Sequence, residues 1–243
     1  NHKMKLFLVK VSNIFFGLPI YLLFNLVSPI ITIRIGRLYS SRIGHLNYNI
    51  DNYLYKKKNL KIKEFSIFVC EKYISNYEVY KKWNEIDRLL LTKNFFYKNL
   101  IGFVEKFIKD SKMLILFRET HHHTFASSSD QNMIVSNLDM KKGMEYLSNA
   151  GIKKPYICFH NRDSSYLSKT HKDGGDGNDH EFRDSNFDDF KDSIELLSKQ
   201  KIQAVRIGEY TQNTTMIKSD NLISAVGKLS NEYLIPLIYH ADY

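Results

Sequence analysis

Cysteine is scarce in this chain, and proline is uncommon too. Its 243 residues include two cysteines, Cys70 and Cys158, and four prolines. Each cysteine lies in an apolar run and is expected to be a small buried side chain. Two distant cysteines build neither a disulfide framework nor a cysteine-based zinc site. The sequence therefore argues against a disulfide-stabilised secreted domain and predicts a cytoplasmic compartment.

Several catalytic motifs are missing as well. The sequence contains no Walker loop, no G-x-G-x-x-G, no G-x-S-x-G and no H-E-x-x-H. It also lacks D-x-D, the carboxylate pair that holds a divalent cation in many sugar transferases. A sugar transferase with this sequence is expected to work without a metal and without a bound cofactor.

Acidic residues are few in the first two thirds of the chain. Residues 1–155 contain 25 Lys and Arg against 12 Asp and Glu, whereas residues 156–243 contain 10 against 14. A basic first part indicates an anionic partner, such as a membrane surface, a nucleic acid or an acidic glycan. A lysine-rich composition throughout the source proteome explains the same numbers without any partner.

Charge is absent altogether from residues 11–33, which follow three lysines. The run is long enough to cross a bilayer, but two prolines interrupt it. No small-residue cleavage site follows, which argues against a signal peptide. We expect residues 1–29 to form a membrane-associating segment with a surface-lying helix at 11–27. A spanning helix is the second interpretation and a buried core helix the third.

Strands and helices alternate after this segment, which predicts a parallel α/β fold. In domain 30–150 we predict strands at 30–35, 65–70 and 113–117, and helices at 46–56, 76–91, 95–108 and 140–150. In domain 151–243 we predict strands at 156–160, 203–207 and 235–239, and helices at 187–200 and 221–233. Both domains are expected to be Rossmann-like. The second is expected to be incomplete, because a doubly wound domain has more strands.

Basic side chains lie at two strand ends of the second domain. His160 and Arg162 follow the strand at 156–160, and Arg206 lies near the end of the next strand. Ligands of open α/β sheets bind outside the carboxyl ends of the strands, and a guanidinium matches phosphate oxygens bidentately. The three residues are therefore candidates for a diphosphate site. Alternatively, Arg162 pairs with Asp163 or another carboxylate, and Arg206 is an ordinary edge-strand arginine.

A similar polar segment follows the first strand of the first domain. Arg42 is a candidate contact for an acceptor, and Gly44 allows a ligand to approach the backbone closely. His45 is the best candidate for a general base because its ordinary pKa lies near neutrality. The structural alternative for His45 is a hydrogen-bonding residue at a helix N-terminus. Two units whose basic strand ends face each other would form a cleft suited to a nucleoside diphosphate.

Two polar runs have a metal-like composition but are assigned to loops. Residues 171–180 contain three spaced aspartates, yet they lack the register of a calcium-binding EF-hand. The adjacent histidines at 121–123 do not readily share one tetrahedral site. The sequence therefore predicts no metal site.

Three segments together resemble a bacterial family of glycosyltransferases associated with surface-polysaccharide gene clusters. They are Arg34-Ile-Gly36 through Arg42-Ile-Gly44-His45-Leu46, His160-Asn-Arg162-Asp163-Ser-Ser-Tyr166-Leu167, and His180-Glu-Phe-Arg183 followed by Val205-Arg206-Ile-Gly208. The family's motifs run in the same order over most of residues 30–208. Members resemble two-domain GT-B enzymes, so the resemblance implies two Rossmann-like units facing across a cleft.

The resemblance also implies roles for individual residues. The His-x-Arg segment is similar to the phosphate-contacting segment of fucosyltransferase-like GT-B enzymes, which implies that Arg162 contacts the donor diphosphate, with His160 and Arg206 beside it. Asp163, Tyr166 and Arg183 belong to the matching motifs and are expected in the cleft or near the acceptor. Two departures matter. The loop at 171–179 is peculiar to this chain, and the base and ribose contacts are expected beyond Tyr243, so these residues alone are expected to be inactive.

The leading hypothesis is a metal-independent glycosyltransferase at the cytoplasmic face of the inner membrane. It would move a sugar from a nucleotide-sugar donor to a surface glycan or a lipid-linked acceptor, with an anionic membrane surface as partner and no nucleic acid. Its alternative is a non-catalytic basic α/β module that binds anionic membrane or nucleic acid. A third hypothesis is another nucleotide-handling enzyme on the same fold, since a fold does not fix the chemistry.

Overall fold

The computed structural model divides the chain into two compact α/β units, Asn1–Ile134 and Val135–Tyr243. Each unit has its own small parallel sheet, as the alternating pattern predicts. This boundary precedes the helix predicted at 140–150, which was expected to belong to the first domain. The structure describes residues 2–108, 111–116, 133, 135–161, 165, 184–208, 211, 215–229 and 231–242.

The first unit begins with one long apolar helix. It consists of α1 (His2–Ser12), a π-helical turn (Asn13–Gly17) and α2 (Leu18–Val27). Its 26 residues are long and apolar enough to cross a membrane, a property it shares with signal sequences and with core helices of soluble proteins. The predicted N-terminal hydrophobic helix is present, and it starts earlier than residue 11. Pro19 lies just after the π-helical turn, where the regular hydrogen-bond pattern of the helix is already interrupted.

A three-stranded parallel sheet forms the centre of this unit. Its order is β1-β2-β3, with β1 at Thr32–Leu38, β2 at Glu64–Cys70 and β3 at Leu89–Thr92. The strand predicted at 113–117 is reduced to a bridge on the free edge of β1. There the N–H of Ile35 donates to the carbonyl of Met113 at 2.7 Å, and the N–H of Ile115 donates to the carbonyl of Ile35 at 2.8 Å.

Helices cover both faces of this sheet: α3 (Ile43–Asn59) follows β1, α4 (Tyr77–Trp83) follows β2, and α5 (Phe95–Phe107) follows β3. Because side chains alternate along a strand, β2 contributes to two separate cores. Ile67 and Val69 pack with Leu100 of α5. Phe68 contacts Tyr53 of α3, with ring centroids 5.2 Å apart.

A buried polar network lies where β2 begins. The Tyr53 hydroxyl donates to the carboxylate of Glu64, whose residue is 4% exposed. Arg34 Nη1 lies 4.0 Å from that carboxylate, and Lys57 Nζ donates to the Glu64 carbonyl at 2.6 Å. Burial, followed by the hydrogen bond to Glu64, raises the pKa of Tyr53, so the hydroxyl stays a donor.

The long N-terminal helix packs against α5 through small and aromatic residues. Ser12 Oγ donates to Asn99 Oδ1 at 2.7 Å. A Cβ at Gly17 would lie 2.5 Å from the carbonyl oxygen of Asn99, so glycine is what permits this close crossing. Phe16 contacts the ring of Phe95 with centroids 5.1 Å apart. The segment is therefore an integrated part of the first unit.

The opposite face of the same helix is also apolar, but it is exposed. Phe15 is 71% exposed and Leu26 is 77% exposed, and Leu22 and Leu23 lie between them. A helix that is apolar all round normally has both faces covered by protein or lipid. One face here is covered by α5, and the described protein leaves the other uncovered.

Two predictions in the first unit are wrong in detail. The helix predicted at 76–91 ends at Trp83, and its last part is strand β3. Three consecutive leucines fit a strand or a helix equally well, and pairing with β2 decides for the strand. The first strand also continues through Gly36, which was expected to end it. A Cβ at Gly36 would lie 2.9 Å from Cβ of Ile115, so the glycine permits close packing within the strand.

The second unit contains three parallel strands in the order β4-β5-β6, with helices on both faces. Its elements are α6 (Asn137–Asn149), β4 (Tyr156–Phe159), a 3₁₀ turn (Phe187–Phe190) leading into α7 (Lys191–Lys199), β5 (Gln203–Arg206), β6 (Leu222–Ser224) and α8 (Asn231–His240). Val205 faces the core with α6 and α8, and its neighbour Ala204 faces Phe187 and Ile194.

The last two predicted elements are wrong in type. The helix predicted at 221–233 begins with strand β6, and the strand predicted at 235–239 lies within α8. Pairing with β5 makes β6 a strand, and beside it the Ala204 N–H donates to the Asn221 carbonyl at 2.9 Å. Packing on α6 makes residues 235–239 part of a helix, and Gly143 of α6 lies against His240 of α8 there.

Candidate functional site

Part of the predicted site lies outside the described residues. This applies to Arg162, Asp163, Tyr166 and Arg183, and to the polar runs at 121–123 and 171–180. Their predicted roles stay predictions. The described candidates are His160 and Arg206 in the second unit, and Arg42, Gly44 and His45 in the first.

Arg206 is a buried arginine at the carboxyl end of β5. Its residue is 2% exposed, and its guanidinium carbon lies 4.1 Å from the centroid of the Phe187 ring. Strand alternation explains this position, because Arg206 shares the face of Ala204, which belongs to the Phe187 core. Stacking on an aromatic face keeps the planar guanidinium in one orientation.

Hydrogen bonds from Arg206 connect the ends of two strands. Its Nη2 donates to Asn161 Oδ1 at 3.3 Å and to Thr211 Oγ1 at 3.0 Å. Asn161 Nδ2 in turn donates to the carbonyl of Ser185 at 3.1 Å. The side chain of Arg206 therefore fixes the segment that leads from β4 to Arg162, with the exposed His160 directly before Asn161. Its direct contact with a diphosphate stays a prediction.

The first-unit candidates lie where α3 begins, at the carboxyl end of β1. Arg42 is the N-cap residue, half-buried and extended, with φ −118° and ψ 124°. Gly44 is exposed, and a Cβ there would meet nothing within 4 Å. No close approach within the described protein requires a glycine at this position, and the predicted close approach of a ligand to Gly44 stays a prediction.

His45 contacts a residue of its own helix and a residue that follows β1. Its Nδ1 lies 3.3 Å from Nδ2 of Asn49, and its ring centroid lies 5.8 Å from that of Tyr39. The donor and acceptor roles in the contact with Asn49 depend on which ring nitrogen carries the proton. A neutral imidazole has one donor and one acceptor nitrogen, so both the base role and the role of a ligand contact stay predictions.

A large open pocket lies at the same edge of the first sheet. Its volume is about 760 Å³, and its walls come from α1, the ends of β1 and β2, and α5. Its residues come from four separate segments of the chain, so no single motif of the sequence indicated the pocket. Tyr39 connects the two sites, since it lines the pocket and contacts His45.

The pocket is apolar inside and basic around its rim. Leu8, Val9 and Phe95 give it exposed apolar walls. Among the described lining residues, four are basic, Lys5, Arg37, Lys72 and Lys98, and Glu71 alone is acidic. Such a lining suits a ligand that combines a hydrocarbon part with an anionic group.

The charges around the pocket are not all equivalent. Arg37 is engaged by Glu105 in a two-point ion pair of 2.8 and 2.6 Å, whose hydrogen bonds raise the pKa of Arg37. The Glu71 carboxylate accepts from the N–H of Ser41 at 2.9 Å. Among the described residues, Lys5, Lys72 and Lys98 form no ion pair, and all three are exposed. They are therefore the cations available to a ligand.

Cys70 is part of the pocket lining but is not a reactive group. Burial raises the pKa of the Cys70 thiol to about 12, so the thiolate is scarce near neutrality. This agrees with the prediction of a small buried side chain.

Within the described ranges, no three His, Cys, Asp or Glu residues are close enough together to hold a metal ion. No family model matches the chain, and no curated protein or solved structure is significantly similar to it.

Proposed function

We propose that this protein is a GT-B-like glycosyltransferase that acts at a membrane surface, moving a sugar from a nucleotide-sugar donor to a glycan or a lipid-linked acceptor. The observation that carries the proposal is the fixed arginine at the end of β5. Arg206 ties Asn161 in place, and Asn161 directly precedes the Arg162 of the family-like segment. Arg206 and Asn161 lie at the carboxyl ends of β5 and β4, where parallel sheets bind phosphate-containing ligands.

In this proposal the second unit holds the donor. Arg162 contacts the diphosphate that leaves when the bond to the anomeric carbon breaks, and cationic groups there stabilise the developing charge. Arg206 is a positioning residue that acts through Asn161. Roles for His160, Asp163, Tyr166 and Arg183 in the same pocket remain proposals from the resemblance.

The first unit holds the acceptor. His45 contacts the acceptor or acts as its base, and Arg42 at the start of the same helix helps to orient the acceptor. Gly44 leaves room for the acceptor beside the helix N-terminus. The proposed arrangement places the acceptor at the carboxyl edge of β1, next to the pocket described above.

The long N-terminal helix attaches the protein to the membrane by lying on its surface. The segment from Ser12 to Phe24 packs on α5. The same helix α5 carries three charged residues, Lys98, Glu105 and Lys106. A bilayer-spanning position would either pull this segment away from α5 or bring those charges into hydrocarbon, and both are costly. A surface position covers the exposed apolar face and leaves its lysines near anionic headgroups.

Binding of nucleoside diphosphates by the purified chain tests the donor site. We expect calorimetry with UDP, GDP, ADP and CDP to detect saturable binding of at least one of them. Arg162→Ala should weaken that binding at least tenfold, whereas Lys199→Ala, an exposed charge change on α7, should leave it within twofold. The donor role is rejected if Arg162→Ala binds as tightly as the wild type.

The second candidate is a non-catalytic module that binds anionic membrane. The exposed apolar face of the N-terminal helix and its lysines favour it, because these features need no enzyme activity to explain them. This candidate predicts vesicle binding that weakens with salt and the absence of any nucleotide effect. Nucleoside diphosphate binding that depends on Arg162 would decide for the glycosyltransferase.

A further inference from the structure

We infer that the pocket at the carboxyl edge of the first sheet binds a lipid with a phosphate headgroup, and that this lipid is the acceptor. As an acceptor site, the pocket rests on the proposed glycosyltransferase function. As a binding site, it rests on the lining alone. The pocket joins an apolar wall to a basic rim, so it matches a molecule with a hydrocarbon chain and a compact anionic head.

The hydrocarbon chain fits the wall formed by α1 and α5. Leu8, Val9 and Phe95 are each about half exposed, although they are large apolar side chains. A bound chain would cover them, and burial of apolar surface is the favourable term. The wall continues along α1 into Phe7 and Met4, which are also exposed, so a lipid can enter sideways from a membrane on which α1 lies.

The phosphate fits the rim. The rim contains Lys5 of α1, Lys72 after β2 and Lys98 of α5. Among the described residues, these three lysines form no ion pairs. In the part of the chain that the structure describes, Glu71 is the one lining carboxylate, and Glu105 already neutralises Arg37. The remaining positive charge complements a phosphate with one or two negative charges. A neutral headgroup would leave the three ammonium groups uncompensated.

A phosphate acceptor also needs no base from the protein. A phosphate oxygen is already deprotonated at neutral pH, so it attacks without a general base. It forms the new bond to the anomeric carbon, and the bond from that carbon to the donor diphosphate breaks, with its electron pair leaving on the nucleoside diphosphate. His45 contacts the lining residue Tyr39 and is therefore a polar neighbour of the pocket.

Calorimetry with decyl phosphate, below its micelle concentration, tests the binding site. We expect saturable one-to-one binding, with inorganic phosphate and decanol each at least tenfold weaker. Two matched pairs locate the headgroup. Lys98→Gln should weaken binding about fivefold and Lys106→Gln, on the same helix but outside the pocket, less than twofold. Lys5→Gln and Lys3→Gln form the corresponding pair on α1.

Three results would overturn the inference: no binding of decyl phosphate, equal binding of inorganic phosphate, or equal losses within each matched pair. Equal losses would mean general surface electrostatics. The measurement contains no nucleotide, so its outcome is separate from that of the donor test. Binding of nucleoside diphosphate without binding of decyl phosphate would reject the lipid acceptor and leave the glycosyltransferase proposal standing.

Discussion

The Ser12 hydroxyl donates a 2.7 Å hydrogen bond to the side-chain oxygen of Asn99, 87 residues away along the chain. The amide nitrogen of Asn99 in turn donates to the carbonyl of Phe95 at 2.8 Å within α5. The buried side-chain amide of Asn99 thus has a hydrogen-bond partner for its oxygen and for its nitrogen. It holds the N-terminal helix on the rest of the first unit. The exposed apolar face of the N-terminal helix and the pocket wall on α1 both belong to the helix that this junction holds in place.

Gly17→Ala should separate the N-terminal helix from α5. The new Cβ would lie 2.5 Å from the backbone oxygen of Asn99, which cannot move aside as a side chain could. We expect a loss of roughly 1–3 kcal/mol in the free energy of unfolding. Gly44→Ala is the control, because its Cβ meets nothing, and a gain of up to about 1 kcal/mol is expected. Urea unfolding measures both, and equal effects would contradict the close crossing.

Substitutions at Phe15 and at Phe16 should have separate effects, the first on membrane binding and the second on stability. Phe15 is 71% exposed, whereas Phe16 packs on Phe95 and Phe96. Phe15→Ser should reduce sedimentation with vesicles that contain phosphatidylglycerol and change the free energy of unfolding by less than about 0.5 kcal/mol. Phe16→Ser should destabilise the fold by about 2–4 kcal/mol. Unchanged vesicle binding in Phe15→Ser would count against a surface-lying helix.

Arg206→Lys should weaken both the second unit and its ligand site. A lysine keeps the charge but loses the planar stacking on Phe187 and the geometry that reaches Asn161 and Thr211. We expect a loss of roughly 1–3 kcal/mol in the free energy of unfolding.

If Arg206 acts through Asn161, then Asn161→Ala should lower the affinity for nucleoside diphosphate by a similar factor. The double variant should then be no weaker than the weaker single variant. Calorimetry on the three variants measures this, and fully additive losses would indicate that Arg206 contacts the ligand directly.

Tyr53→Phe should show how much the buried network at the start of β2 contributes to the free energy of unfolding. The change leaves the Glu64 carboxylate without its hydroxyl donor in a site that is 4% exposed, which we expect to cost about 1–3 kcal/mol. Tyr55→Phe, a half-buried neighbour on the same helix, should change stability by less than about 0.5 kcal/mol. Combining Tyr53→Phe with Glu64→Gln should give less than the sum of the single losses in urea unfolding.

Cys70 should resist alkylation until the pH is high. Burial raises its thiol pKa from 9.0 to about 12, so near pH 8 only about one thiol in 10⁴ is ionised. The rate with iodoacetamide should therefore rise about tenfold per pH unit. Cys158, whose pKa is raised to about 11, should react first. Mass spectrometry resolves the two sites, with urea-unfolded protein as the reactive reference. Rapid labelling of native Cys70 at pH 8 would show that it is not buried.

The elements that the sequence predicted well are those with one clear period. The strand at 65–70 and the helix at 95–108 are observed at Glu64–Cys70 and Phe95–Phe107. Short apolar runs failed, as at Leu89–Thr92 and in α8, because four apolar residues in a row fit a strand and a helix equally well. Pairing with β2 and packing on α6 resolved the two cases.

The same division applies to the candidate sites. Local sequence was enough to place Arg42, His45, His160 and Arg206 near strand ends, since a strand end is a local feature. Nothing local indicated that Arg206 would be buried on Phe187 or that its guanidinium would bond Asn161. The pocket between α1, two strand ends and α5 was equally invisible, because its lysines lie far apart along the chain.

The sequence by itself determined the α/β class, the apolar N-terminal helix and the absence of a cysteine framework, because composition and periodicity report directly on burial. The tertiary structure decided which strands pair, which face of the first helix is covered and which charges meet at the pocket. Those outcomes depend on contacts between residues that are distant in sequence, such as Ser12 with Asn99 and Arg206 with Asn161.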